Sequence, residues 1–269
     1  MRGRGWVVAA MLGLCASALA QPQEAQLRQG LAAARRGDYA AALAAWRPIA
    51  ERGNSDAQNN LGVFYEQGRG VPRDFAAAAS WYRRAAELGN PAGQNNLGVM
   101  YERGLGVTRD PAEAARWYER AANRGEPNAL NNLGVLLERG VGVPQNLARA
   151  AALYRQAADK GNDRAQNNLG VLYERGQGVP QDLKAAASWY TRAAQRGNSM
   201  AMNNLGVLYQ EGRGVPTDTA RANFWFTLSA ADGNSNGAAN RDSTSRRLTA
   251  QQREQVERLL SEWRAAHPR

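Results

Sequence analysis

The side chains best equipped for specific contacts in this sequence are asparagines, and they come in pairs. Asn-Asn-Leu-Gly stands at 59–62, 95–98, 131–134, 167–170 and 203–206, each copy 36 residues after the last. An asparagine amide carries two donor hydrogens and an acceptor oxygen. A stacked row of them can therefore hold an extended peptide backbone without reading its side chains. The first members, Asn59, Asn95, Asn131, Asn167 and Asn203, form the candidate partner-binding row. The valines four residues on, Val63, Val99, Val135, Val171 and Val207, share that face at helical spacing, roughly opposite Leu61 and Tyr65. The second members (60, 96, 132, 168, 204) are expected to bond neighbouring helices or loops. Glu66, Glu102, Glu138 and Glu174 would add an acidic, solvated edge.

Other chemistry is scarce. Cys15 is the only cysteine and His267 the only histidine of the 269 residues. Ser-His-Asp and Cys-His catalysis, Cys/His zinc sites and a disulfide framework are thereby excluded. The expectation is no enzyme, no catalytic residue, no cofactor and no metal site. The Gly-x-Gly stretches at 68–70 and its copies follow a helical pattern, and no Gly-Lys-Ser/Thr comes after them. They read as helix stops and turns, not as a phosphate loop.

A 36-residue period is the signature of a stacked repeat array. Each unit reads as two antiparallel helices. Helix A runs roughly from Ala57 to Gln67, with Ala57, Leu61 and Phe64 inward. Helix B opens at Asp74, Asp110, Asn146, Asp182 and Asp218, all good N-cap types. Asp110, Pro111 and Glu113 together spell a capping box. Ala78, Tyr82 and Ala85 form the inner stripe of helix B, and the Trp81 series (117, 189, 225, with Leu153 once) serves packing. A two-helix unit cannot bury its own apolar face, so the array needs caps. Residues 21–54 read as an N-terminal capping hairpin, with Gly37-Asp38-Tyr39 as its turn and Trp46 as anchor. Residues 55–234 hold five units. Residues 235–269 hold a degenerate unit and a capping helix, opened by Thr249 and Gln252 and striped with Val256, Leu259, Leu260 and Trp263.

The first twenty residues read as a signal peptide. Arg2 and Arg4 lead an uncharged run from Trp6 to Ala20 that ends in Ala18-Leu19-Ala20. Cleavage after Ala20 would deliver the chain to the periplasm or the medium. A lipid anchor on Cys15 is the rival, and the bulky Leu14 before it speaks against that. The uncharged run of 15 residues is short for a bilayer, which needs about 20, and no other stretch approaches it, so no integral membrane segment is expected. The net charge is +10, or +8 without residues 1–20, and all but two of the cations are arginine. Such a balance favours anionic partners, although arginine excess also fits genomic base composition.

These units resemble the Sel-one-like repeat (SLR) family of tetratricopeptide-like solenoids. The resemblance rests on Asn-Asn-Leu-Gly-Val-x-Tyr, Gly-x-Gly-Val-Pro-x-Asp and Trp-Tyr-x-x-Ala-Ala-x-x-Gly over residues 55–234. It implies an all-α fold, a right-handed α-solenoid of stacked antiparallel helix pairs with a concave wall of A helices. It also implies an adaptor that binds an unidentified protein or peptide. A cysteine-rich branch of the family is linked to penicillin binding. This chain lacks those cysteines, and no serine begins Ser-x-x-Lys, so that activity is not expected. An anionic envelope polysaccharide or peptidoglycan is the alternative partner; nucleic acid clashes with export. The sequence leaves the oligomeric state open.

Overall fold

The computed structural model describes residues 21–267; the expected signal peptide, with Cys15 and Ala20, lies outside them. The described chain is all-α, fourteen helices with no strand, joined as consecutive pairs. It forms two compact units, divided between Glu126 and Pro127.

The first unit holds α1 (residues 21–35), α2 (Tyr39–Glu51), α3 (Ser55–Gln67), α4 (Phe75–Glu87), α5 (Pro91–Arg103) and α6 (Pro111–Ala122). The second holds α7 (Pro127–Arg139), α8 (Leu147–Asp159), α9 (Asp163–Arg175), α10 (Leu183–Gln195), α11 (Ser199–Glu211), α12 (Thr219–Ala231), α13 (Ser235–Ser245) and α14 (Ala250–Ala266).

Caps fix the boundaries. Asp74, Asp110, Asn146, Asp182 and Asp218 each accept a first-turn backbone N–H, as expected for the B helices. Each of these cap residues also donates its own N–H to helix A of its unit, as Asp74 does to the Tyr65 carbonyl at 2.9 Å. The expected capping box at Asp110 is not complete. Its carboxylate accepts from Ala112 and Glu113, while the Glu113 side chain turns to Arg116 at 3.0 Å. The A helices start two residues earlier than expected, because Asn54, Asn90, Asn162 and Asn198 are N-caps in their own right.

Alanine and one ring per unit make the core. Ala78, Ala85, Ala114, Ala121, Ala186 and Ala193 are fully buried, as are Tyr82, Tyr118, Tyr154, Tyr190 and Phe226. Each ring lies against the glycine of Asn-Asn-Leu-Gly, in mid-helix. A Cβ on Gly98 would stand 2.6 Å from the Tyr118 ring, and one on Gly206 2.5 Å from Phe226. That glycine sets how closely helices A and B approach, and at this spacing no other residue fits.

Both ends are capped by packing. Trp46 is buried and donates its indole N–H to the Leu27 carbonyl at 3.2 Å. At the other end Val256 and Leu260 of α14 join the core of α10–α12, with Leu259 and Trp263 packed beside them. The Thr249–Gln252 capping box is present in both directions.

Candidate functional site

The A helices carry the expected site, and its asparagines are not arranged as one free row and one structural row. Asn95, Asn131 and Asn167 are 8%, 5% and 4% exposed, whereas Asn59 and Asn203 are half-buried. The second members, Asn60 and its copies, are all half-buried. The two rows bond each other. Asn96 donates to Asn59 at 2.9 Å, Asn168 to Asn131 at 3.1 Å, and Asn204 to Asn167 at 3.1 Å. Within a pair the first amide donates to the second, as Asn95 does to Asn96 at 3.2 Å. Each compact unit thus contains an amide ladder that alternates between sequence neighbours and adjacent repeats. The expectation that the Asn59 row faces away from packed surface is corrected on that geometric point. A helix turn places position 59 close enough to the next repeat to be drawn into the contact.

The ladder outlasts the repeat. The sequence pattern breaks at Arg241-Asp242, yet Asn240 of α13 still donates to Asn203 at 2.9 Å. A third asparagine series adds a parallel link. While Asn90 and Asn198 cap their own helices, their amide N–H groups reach Asp56 and Asp163 of the preceding A helix at 2.7 and 2.8 Å.

The A helices expose polar ends such as Gln67, Arg103, Arg139 and Arg175, and between them leave a row of apolar side chains partly accessible. Val63, Val99, Val135, Val171 and Val207 are all half-exposed, with Val63 and Val171 resting partly on the core clusters. Met200, at the start of α11, is 53% exposed.

The glutamates expected as a solvated edge have a structural partner instead. Tyr82, Tyr118 and Tyr154 donate their hydroxyls to Glu66, Glu102 and Glu138 at 2.6 Å, and Tyr190 to Glu174 at 2.7 Å. Burial pushes these four phenols far above the ordinary tyrosine range. The hydrogen bond to the carboxylate and its negative charge add to that. A signal was present in the sequence. The fifth copy has Gln210 where the others have glutamate and Phe226 where they have tyrosine, so both partners change together.

The Trp81 series packs as expected, and three of its four indoles, all but Trp225, also carry a cation. Arg84 lies over Trp81 at 4.8 Å, Arg120 over Trp117 at 4.5 Å and Arg192 over Trp189 at 4.6 Å. Among the described residues no group of three or more His, Cys, Asp or Glu could hold a metal, and no helix is long and apolar enough to cross a membrane.

Consecutive two-helix repeats, stacked through small residues and inter-repeat amides, define an α-solenoid. The Sel1 repeat family model matches residues 55–90, 91–126, 127–162, 163–198 and 199–234, and the chain belongs to that family. A Sel1 repeat protein from Oxalobacter formigenes is 33% identical, with a TM-score of 0.73 over 78% of this chain and 83% of that one. An immunity protein from Pseudomonas aeruginosa shares the fold at 22% identity and a TM-score of 0.52, covering 83% of this chain and 82% of that one. No curated protein matches in sequence. The Sel1 repeat scaffold points to protein–protein interaction.

Proposed function

We propose that the chain is an exported scaffold that binds a protein or peptide partner on the wall formed by its A helices. The observation that carries this is the row of half-exposed valines, held at a fixed interval within each compact unit by the amide ladder. Apolar side chains that remain accessible on a rigid surface are the usual anchors of a protein contact. The ladder preorganises them, so little ordering entropy is lost on binding. The amides of the Asn59 row are largely committed to those of the Asn60 row. They contribute spacing more than direct grip, with the half-buried Asn59 and Asn203 the most available of the five.

A photo-crosslinking residue at position 99 or 135, introduced in cells, tests this reading. Both positions should yield one and the same adduct, while the exposed B-helix position 116 should not. Adducts from position 116 alone would overturn it. Export is part of the proposal, since the apolar leader ends in Ala-Leu-Ala; the mature protein should begin at Gln21. The alternative partner, an anionic envelope polymer, draws on the arginine excess, and its capture would collapse between low and high salt.

A further inference from the structure

We infer that the B-helix side of the solenoid carries two carboxylate-binding sites, one in each compact unit, suited to the acidic side chains of a peptide. In the second unit an open cavity of about 400 Å³ lies beside the end of α8, lined by Arg192, Arg196, Gln166 and Asp159 among others. Arg192 is stacked over Trp189. Arg196 lies against the turn at Gly161, where a Cβ would stand 2.9 Å from its Nη2. Behind them Gln166 is 4% exposed; its amide donates to the Ala158 carbonyl at 3.0 Å and its Oε1 has no partner.

The first unit repeats this constellation. Arg120 is stacked over Trp117, Arg124 lies against Gly89 at 2.7 Å from a notional Cβ, and Gln94 is buried with its Oε1 unpartnered. None of the four arginines forms a hydrogen bond or an ion pair with a described residue. Asp159 lines the cavity without pairing to either guanidinium. Two cations at i and i+4 repel each other on a helix. Guanidiniums packed against an indole and against a glycine turn have little freedom left to lose on binding. A guanidinium fork matches a carboxylate bidentately.

The other repeats are internal controls. In the third copy Trp becomes Leu153, the two arginines become Gln156 and Lys160, and the glutamine becomes Leu130. In the fifth the arginines become Leu228 and Asp232 and the glutamine Met202. In the first, Leu88 replaces the second arginine.

None of these residues belongs to the asparagine or valine rows, so failure here leaves the A-helix reading standing, and the reverse. The test uses the full mature chain labelled with 5-fluorotryptophan and titrated with acetyl-hexaglutamate amide. Acetyl-hexaglutamine amide and a sulfated glycan of matched charge are the other arms. Fluorine resonances of Trp117 and Trp189 should shift saturably with the acidic peptide, and Trp225 should not. The R192Q/R196Q double variant should abolish the Trp189 shift and leave that of Trp117, whose native position also reports the fold. R192K/R196K, which keeps charge without the planar fork, should bind at least about tenfold more weakly at Trp189. Absence of saturable shifts, equal shifts at Trp225, a response surviving R192Q/R196Q, or a response to the glycan alone would overturn the proposal.

Discussion

The fourth and fifth repeats share a fold and differ in what they do with it. In both, one ring seals the contact between helices A and B, Tyr190 against Gly170 and Phe226 against Gly206. The fourth copy adds a hydroxyl–carboxylate bond, two exposed arginines and a cation over Trp189. The fifth drops all of these. Its tryptophan instead meets Phe224 at 4.8 Å and Trp263 of α14 at 5.5 Å. Packing of ring on glycine is what the repeat requires, while the polar decoration depends on what lies next to it. Where the neighbour is a capping helix, apolar contact replaces it.

The largest way to break this comparison is to remove the cap. Truncation before Ala250 takes away Val256 and Leu260, each worth about 1.5–3 kcal/mol when buried, and uncovers Trp225. The fifth repeat should melt before the fourth, with Trp225 fluorescence shifting to the red first. Simultaneous melting of both would show that α14 is not a cap.

Next comes the Tyr–Glu pair. Y190F alone strips the Glu174 carboxylate of a buried partner and should cost about 1–3 kcal/mol. Y190F together with E174Q recreates the fifth copy and should recover part of that loss, by a coupling of about 0.5–3 kcal/mol in chemical denaturation. Simple additivity of the two variants would refute the pairing.

The same bond gives a pH dependence. Folding holds four phenols protonated, so stability is complete below the ordinary tyrosine pKa of about 10 and declines as pH rises beyond it. Each such tyrosine contributes a slope of about 1.4 kcal/mol per pH unit there. Y190F should reduce the measured slope by one proton, and F226Y with Q210E should add one.

The smallest effect separates two rungs of the amide ladder. Asn167 donates to Asn168 and accepts from Asn204, whereas half-buried Asn203 accepts from Asn240. At about 0.5–1.5 kcal/mol per net hydrogen bond, N167A should lower the melting temperature more than N203A. Equal losses would place both asparagines in equivalent surroundings.

Much of this protein could be read from its residues. The period, the B-helix caps, the buried alanines and the terminal capping helix follow from rules that act within a few residues, namely helical spacing, N-cap chemistry and turn glycines. A period of 36 also dictates that whatever one unit does, its copies are placed to do as well, which fixed the positions of the candidate rows. Which asparagine faces which was a different matter. Asn59 and Asn60 are chemically identical and adjacent, and only the offset between stacked repeats decides that position 96 reaches position 59. Likewise Glu66 and Tyr82 sit 16 residues apart on different helices. Their bond exists because Gly62 lets the ring slide close enough for its hydroxyl to meet the carboxylate. Local sequence chose the helices, and the distance between them, set by a missing Cβ, chose the partners.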